Sequence, residues 1–301
     1  MMYKGKMMIK GMCMSTLGMV LLFSFLNCWA QVIKPVEGNH GIKRGIKVYQ
    51  NLRYGSQPET LEKDTSSDRT LDLYIPDKVS GAKLPVILFI HGGGFVNGDK
   101  SGTKDICTNI AEQGFAIISI NYRLSLKGKN IKGSGASSNM AAGLPVDGKF
   151  HPALDHAVIT ASEDAQLALS WIKKQAKTYR FDTRKVVISG GSAGGMTALY
   201  TAYISDQEIL PIAAVVNLWG GLENATLVAK NAPPVITFHG DKDELINVAY
   251  AHALQKAMVQ NGDQLSELHI MEGKGHARYD IIARQKIPEI AAFLNKVLNN
   301  K

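Results

Sequence analysis

A serine flanked by glycines stands where a strand meets a helix. In residues 184–200, RKVVISGGSAGGMTALY, the β-branched run Val186-Val187-Ile188 leads into Gly190-Gly191-Ser192-Ala193-Gly194. The helix-compatible residues Met196, Ala198, Leu199 and Tyr200 follow. Such a turn lifts a serine hydroxyl clear of the backbone, and its tightness admits only small neighbours at Gly190 and Gly194. An ordinary Gly-rich loop shares this composition but lacks the strand before it and the helix after it. The chemistry suggested is nucleophilic acyl transfer by Ser192.

That chemistry needs three more parts. A serine hydroxyl is a weak nucleophile at neutral pH and requires a general base. Eight histidines compete for the role. His276, in Glu272-Gly273-Lys274-Gly275-His276, follows an expected strand, and a short Gly-rich loop there can swing an imidazole over the sheet edge. His40, His252 and His269 fall in a tail, a helix and a strand, where solvated or packed roles suffice. His151 and His156 lie in or beside a long loop, within reach of a substrate. The base in turn needs an orienting carboxylate. Phe238-His239-Gly240-Asp241-Lys242-Asp243 offers two. Asp241 suits a turn residue bonding its own backbone, whereas Asp243 lies further into the loop, toward the histidine. The resulting order Ser192…Asp243…His276 is the one expected of a serine elbow of this kind.

The last part is a site for the negative charge that builds on a carbonyl oxygen. In His91-Gly92-Gly93-Gly94-Phe95, consecutive glycines let backbone N–H groups approach a ligand unobstructed. The amides of Gly93, Gly94 and Ala193 are the candidates, and losing one such donor costs about 2.7–4 kcal/mol. His91 is expected to shape this loop by hydrogen bonding. A phosphate-cradling role is disfavoured, because no G-K-S/T follows and no G-x-G-x-x-G opens a helix. No cysteine or carboxylate cluster supports a metal site, and the chemistry requires no cofactor.

Positioning these groups takes a layered fold. Thr70–Ile75 alternates apolar and polar, as an antiparallel strand with one wet face would. Continuous apolar runs at 85–90, 116–120, 186–188, 213–216 and 235–238 read as doubly covered central strands, and 268–271 as the last strand. Ala165, Ala168, Leu169, Ile172 and Ala176 recur at helical spacing behind a capping box of Thr160 and Glu163. Ile287, Ile290, Ala291, Leu294 and Leu298 form a final helical stripe, with Pro288 in its first turn. Alternating strands and helices predict an α/β fold, a mostly parallel eight-stranded sheet with helices on both faces. Residues 126–159 break the rhythm, being rich in Gly, Ser, Lys and Ala without periodicity. They leave the C-terminal edge of the sheet, where α/β proteins bind ligands, and read as a substrate-covering insertion. Trp219-Gly220-Gly221 fits either a pocket wall or a packed tryptophan beside a tight turn.

Residues 1–30 read as a secretory signal peptide. Lys4, Lys6 and Lys10 precede an apolar run to Trp29, and Cys28-Trp29-Ala30 places small residues for cleavage after Ala30. An uncleaved anchor helix and a lipoprotein signal at Cys28 are weaker readings, the latter because Asn27 and Phe25 fit it poorly. Residues 31–301 then form one domain, secreted or periplasmic, whose single cysteine, Cys107, is a buried structural thiol. Setting aside the three leading lysines leaves 31 basic against 26 acidic side chains. The excess is mild and scattered, so nucleic acid is not an expected partner, and no stable membrane insertion is expected after cleavage.

With these residues in hand, the chain resembles the α/β-hydrolase superfamily. More narrowly it is similar to bacterial carboxylesterases with an H-G-G-G-[FW] oxyanion loop, in the feruloyl-esterase-like and hormone-sensitive-lipase-like branches. The likeness runs from Leu71–Pro76 through His91–Phe95, Asn121–Leu124, Gly190–Gly195 and His239-Gly240-x-x-Asp243 to Gly275-His276. It departs at Glu244–Asn247, where relatives often carry a proline-containing loop, and at 126–159, which has no counterpart. The resemblance implies a carboxylesterase with a Ser192–His276–Asp243 triad and an acyl-enzyme. Its expected substrates are short-chain or carbohydrate-linked acetyl or feruloyl esters. A serine peptidase of prolyl-oligopeptidase type and a non-catalytic binding protein on the same fold are the competing expectations.

Overall fold

The computed structural model describes residues 45–58, 65–77 and 83–299. The expected signal peptide lies outside them. Eight strands form one sheet: β1 (Ile46–Arg53), β2 (Thr70–Pro76), β3 (Leu84–Ile90), β4 (Ala116–Ile120), β5 (Phe181–Gly191), β6 (Ile212–Leu218), β7 (Val235–Gly240) and β8 (Glu267–Met271). Their spatial order is β1-β2-β4-β3-β5-β6-β7-β8. β2 runs antiparallel to β1 and β4, and all pairings from β4 to β8 are parallel. The helices are α1 (Lys104–Ala111), α2 (Ala136–Met140), α3 (Pro152–Tyr179), α4 (Ala193–Tyr203), α5 (Ala249–Gln260), α6 (Tyr279–Ile281) and α7 (Ile287–Asn299).

The strand period of two sorts the core into two layers. Val86, Leu88 and Ile90 face α3, α4 and α5, while Ile87 and Phe89 face α1 and α7. This is why the central runs lack polar alternation: both faces are covered, as expected. The predicted strands and the α/β fold are all present, and β1 is an eighth strand that none of the seven apolar runs of the sequence covered. Its alternation is weak, because one side of this edge strand remains partly solvated.

Two local expectations need correcting. β2 has no wet face. Asp72 is buried, accepts from the Asn51 amide at 2.9 Å and lies 3.4 Å from Lys100 Nζ. The polar residue of the alternating pattern is there for an internal ion pair. The long helix also starts earlier than its supposed capping box. Pro152 takes the first helical position, where a missing N–H costs nothing, and His151 Nδ1 caps the end by accepting from the Ala153 amide at 3.1 Å. Thr160 is buried inside α3, and Glu163 instead pairs with Arg123 at 2.7 Å. The irregular segment is therefore shorter than 126–159 and contains α2. Pro288 does sit in the first turn of α7, but a π-helical stretch, Ile282–Lys286, joins that helix to α6.

Cys107 is buried as expected, with burial pushing its thiol up to about 12. Among the described residues, no helix is long and apolar enough to cross a membrane.

Candidate active site

The predicted residues converge at the C-terminal edge of the parallel strands. Ser192 caps α4 directly after β5, with φ 56° and ψ −122°. Positive φ is costly for a residue with a Cβ and persists only where the surroundings enforce it. Here close packing does so: a Cβ on Gly194 would stand 2.0 Å from the Ile90 carbonyl oxygen, and one on Gly190 would stand 2.4 Å from Gly194. Only glycines let β3, β5 and α4 approach this closely, and that approach forces the serine outward.

His276 lies between β8 and α6 and bridges the other two groups. Its Nε2 is 2.8 Å from Ser192 Oγ, and its Nδ1 is 2.7 Å from Asp243 Oδ2. Asp243, in the loop after β7, is itself held. Its Oδ1 accepts the Leu245 and Ile246 amides at 2.9 Å each. Burial alone would raise the Asp243 pKa, but hydrogen bonds from His239, His276 and the Ile246 amide outweigh it and hold the carboxyl well below the usual range. The carboxylate is thus ionised at any pH where the imidazole works as a base. Asp241 points elsewhere and accepts the Gly273 amide at 2.6 Å. It ties two loops together, a different task from the self-bonded turn expected of it.

His239 is a participant that the sequence reading left without a role. It is fully buried, donates from Nε2 to the Ile246 carbonyl at 2.8 Å and stands 3.2 Å from Asp243 Oδ2. Its spacing four residues before Asp243 was the available signal.

The glycine loop after β3, the candidate oxyanion loop, is wound by three successive positive φ values, 121° at Gly93, 62° at Gly94 and 62° at Phe95. Phe95 tolerates this because its ring is buried against Tyr122. The Gly93 carbonyl accepts the Val96 and Asn97 amides at 3.1 Å each, closing the turn. Among the described residues, the Gly93, Gly94 and Ala193 amides donate to no acceptor. His91 shapes the loop as expected: its Nδ1 bonds the Gly92 carbonyl at 2.6 Å, its ring stacks on Tyr122 at 4.5 Å, and burial lowers its pKa.

Ser192, His276 and the glycine loop open into a cavity of about 520 Å³. Leu126 and Ser134–Ser137, from the irregular segment, form one wall, and Leu245 and Ile246 form another. The segment therefore does flank the nucleophile. Its His151 caps α3 and, like His156, is absent from the cavity lining. Trp219 is a packed residue below the site, edge-on to His276 at 6.4 Å. No cluster of three metal-ligating side chains occurs among the described residues.

A mostly parallel eight-stranded sheet with a strained serine turn between β5 and α4 is the α/β-hydrolase fold. Within that fold, the chain is similar to carboxylesterases. Residues 71–130 match the BD-FAE family model, and residues 154–298 match that of the Phospholipase/Carboxylesterase family. Lipase 2 of Moraxella sp. (strain TA144) is 28% identical over 130 residues, covering 43% of this chain and 23% of that protein. Tuliposide A-converting enzyme 1 of Tulipa gesneriana is 28% identical over 170 residues, covering 53% and 39%. The matched regions span well under half the length of these curated relatives. Among solved structures, the butyrate-bound Est2 esterase of Thermogutta terrifontis superposes with a TM-score of 0.61 at 21% identity, covering 84% of this chain and 95% of that one. A truncated carbohydrate esterase from gut microbiota gives 0.59 at 16%, covering 87% and 98%. Both share the fold.

Proposed function

We propose that the protein is a serine carboxylic-ester hydrolase. The observation that carries this reading is the single imidazole bridging Ser192 Oγ and Asp243 Oδ2 beside three uncommitted amides. Ser192 Oγ attacks the ester carbonyl while His276 Nε2 takes its proton. Asp243 holds the imidazole with Nδ1–H toward itself and stabilises the imidazolium. The amides of Gly93, Gly94 and Ala193 receive the oxyanion, and their fixed orientation lowers the barrier without reorganisation. Collapse of the tetrahedral intermediate leaves Ser192 acylated, and His276 hands its proton to the departing alcohol. Water, deprotonated by the same imidazole, then releases the acid and restores the serine.

The substrates are short-chain or carbohydrate-linked esters. The cavity supports this with apolar side chains (Val96, Leu126, Leu245) near polar ones (Asn97, Ser134, Ser137). The described similarities add support, since they include a carbohydrate esterase and an esterase with bound butyrate. The protein acts outside the cytoplasm as residues 31–301, and N-terminal sequencing of secreted material is expected to begin at Gln31. The deciding experiment is p-nitrophenol release from acetyl, butyryl and octanoyl esters, beside acetate and ferulate release from xylan, with Ser192→Ala as control. Activity abolished in the variant supports the reading, and a folded wild type inert on every ester removes it.

A further inference from the structure

Tyr279 fills space that a side chain at Gly191 would need. A Cβ at Gly191 would fall 2.2 Å from the Tyr279 hydroxyl oxygen, and one at Gly92 would fall 3.0 Å from the same atom. The phenol is therefore wedged between the residue before the nucleophile and the first glycine of the oxyanion loop. Its ring stands edge-on against Trp219, with centroids 4.9 Å apart and planes at 88°. It also lines the Ser192 cavity, although its hydroxyl is sealed from solvent and closes no full hydrogen bond. Tyr279 Oη and Trp219 Nε1 are both buried without a hydrogen-bond partner among the described residues. Burial raises the phenol's pKa, with neighbouring Gly92 and Trp219 partly opposing that rise.

A buried tyrosine hydroxyl ordinarily finds a partner. This one is placed where two catalytic segments meet. Oxyanion stabilisation depends on where the Gly93 and Gly94 amides stand relative to Ser192 Oγ, and an error of about 1 Å in such a geometry can cost on the order of a hundredfold in rate. Gly92 leads into those amides, and Gly191 leads into Ser192. One rigid ring touching both sets their spacing.

We infer that Tyr279 is a positioning residue for the oxyanion site: its phenol fills the gap at Gly191, and its oxygen, packed against both Gly191 and Gly92, holds the glycine loop in register with Ser192. The inference rests on the ester-hydrolase reading. Gly191 is then a glycine because the phenol needs its place. A tyrosine that only packed the core would affect stability and leave the oxyanion geometry alone.

The test is Tyr279→Phe, which keeps the ring and removes the oxygen. Turnover is counted per site titrated with a fluorophosphonate, so that unfolded protein does not enter. The expected result is a kcat lowered about tenfold with KM within about twofold. Affinity for an aryl trifluoromethyl ketone, whose serine adduct places an oxyanion in the hole, should weaken by the same factor. Should Tyr279→Phe fail to fold, Trp219→Phe shrinks the ring that Tyr279 packs edge-on against and is expected to lower kcat and ketone affinity together by a smaller factor. Wild-type kcat in the variant, or a lower kcat with unchanged ketone affinity, overturns the proposal while leaving the ester hydrolase standing. A wild type that neither hydrolyses esters nor takes up the fluorophosphonate overturns both.

Discussion

At the scale of single residues, the site depends on a serine held in a backbone region that its side chain disfavours and on an imidazole held from both ends. Asp243→Asn preserves the packing but offers His276 a donor in place of a carboxylate, which permits the wrong tautomer. Turnover of p-nitrophenyl butyrate should fall by about 10⁴-fold. Ser192→Ala should fall at least as far, because it removes the hydroxyl that His276 Nε2 holds at 2.8 Å, and kcat measured on preparations free of wild-type enzyme checks both. His239→Asn should have a smaller effect. It removes one of four hydrogen-bond contacts to Asp243, leaving His276 and the two loop amides in place.

At the scale of elements, α3 does two tasks, and each can be tested apart from the chemistry. Its fully buried Asp164 accepts from Arg69 Nε at 2.9 Å, from Arg123 Nε at 3.0 Å and from the Arg123 amide at 2.8 Å. This pins the loop after β4 and the start of β2 to the helix. Removing the carboxylate leaves two guanidinium groups that are only partly solvated. Asp164→Ala should therefore lower unfolding free energy by about 3 kcal/mol in a urea titration. The second task is to anchor the irregular segment ahead of it, whose residues face Leu245 across the cavity. Leu245 is solvent-exposed at the mouth, so Leu245→Trp should fold normally and narrow the entrance. The ratio of kcat/KM for octanoyl against acetyl esters should then drop about tenfold.

At the scale of the whole molecule, the buried titratable groups set the acid limit of stability. Burial lowers the His91 pKa, so between the folded value and the unfolded value of about 6.5 the unfolded chain binds the extra proton. Stability from this group is complete above about pH 6.5 and is lost as pH falls through the folded value. Asp243 has the same sign at lower pH, since its folded value is depressed. Thermal midpoints should fall from pH 7 to pH 5, and His91→Gln should flatten that slope while lowering the midpoint at pH 7. A steeper slope in the variant would contradict the assignment.

Much of this molecule was legible in one dimension because its signals are local. Strand β5, the turn at Ser192 and helix α4 are contiguous, and the central strands are continuous apolar runs because two helical layers cover them. The glycines at 92–94 and at 190–194 mark backbone approaches that no side chain survives. Sequence therefore determined the α/β architecture and named the candidate nucleophile, base, acid and oxyanion amides that the fold brings to one edge. It misread what depended on distant partners. Asp72 looked solvent-facing until Lys100 and Asn51 were seen to cover it, and Thr160 with Glu163 looked like a cap although α3 begins at Pro152. His239 and Tyr279 carried no decisive local pattern. His239 acts on a carboxylate that a loop folds back toward it, and Tyr279 is defined by the missing side chain of a residue 88 positions earlier. Residue type and spacing specify which groups can react, but hydrogen bonds and close contacts fall off within a few ångströms. Which groups meet is therefore decided only when the sheet brings separate loops to one edge.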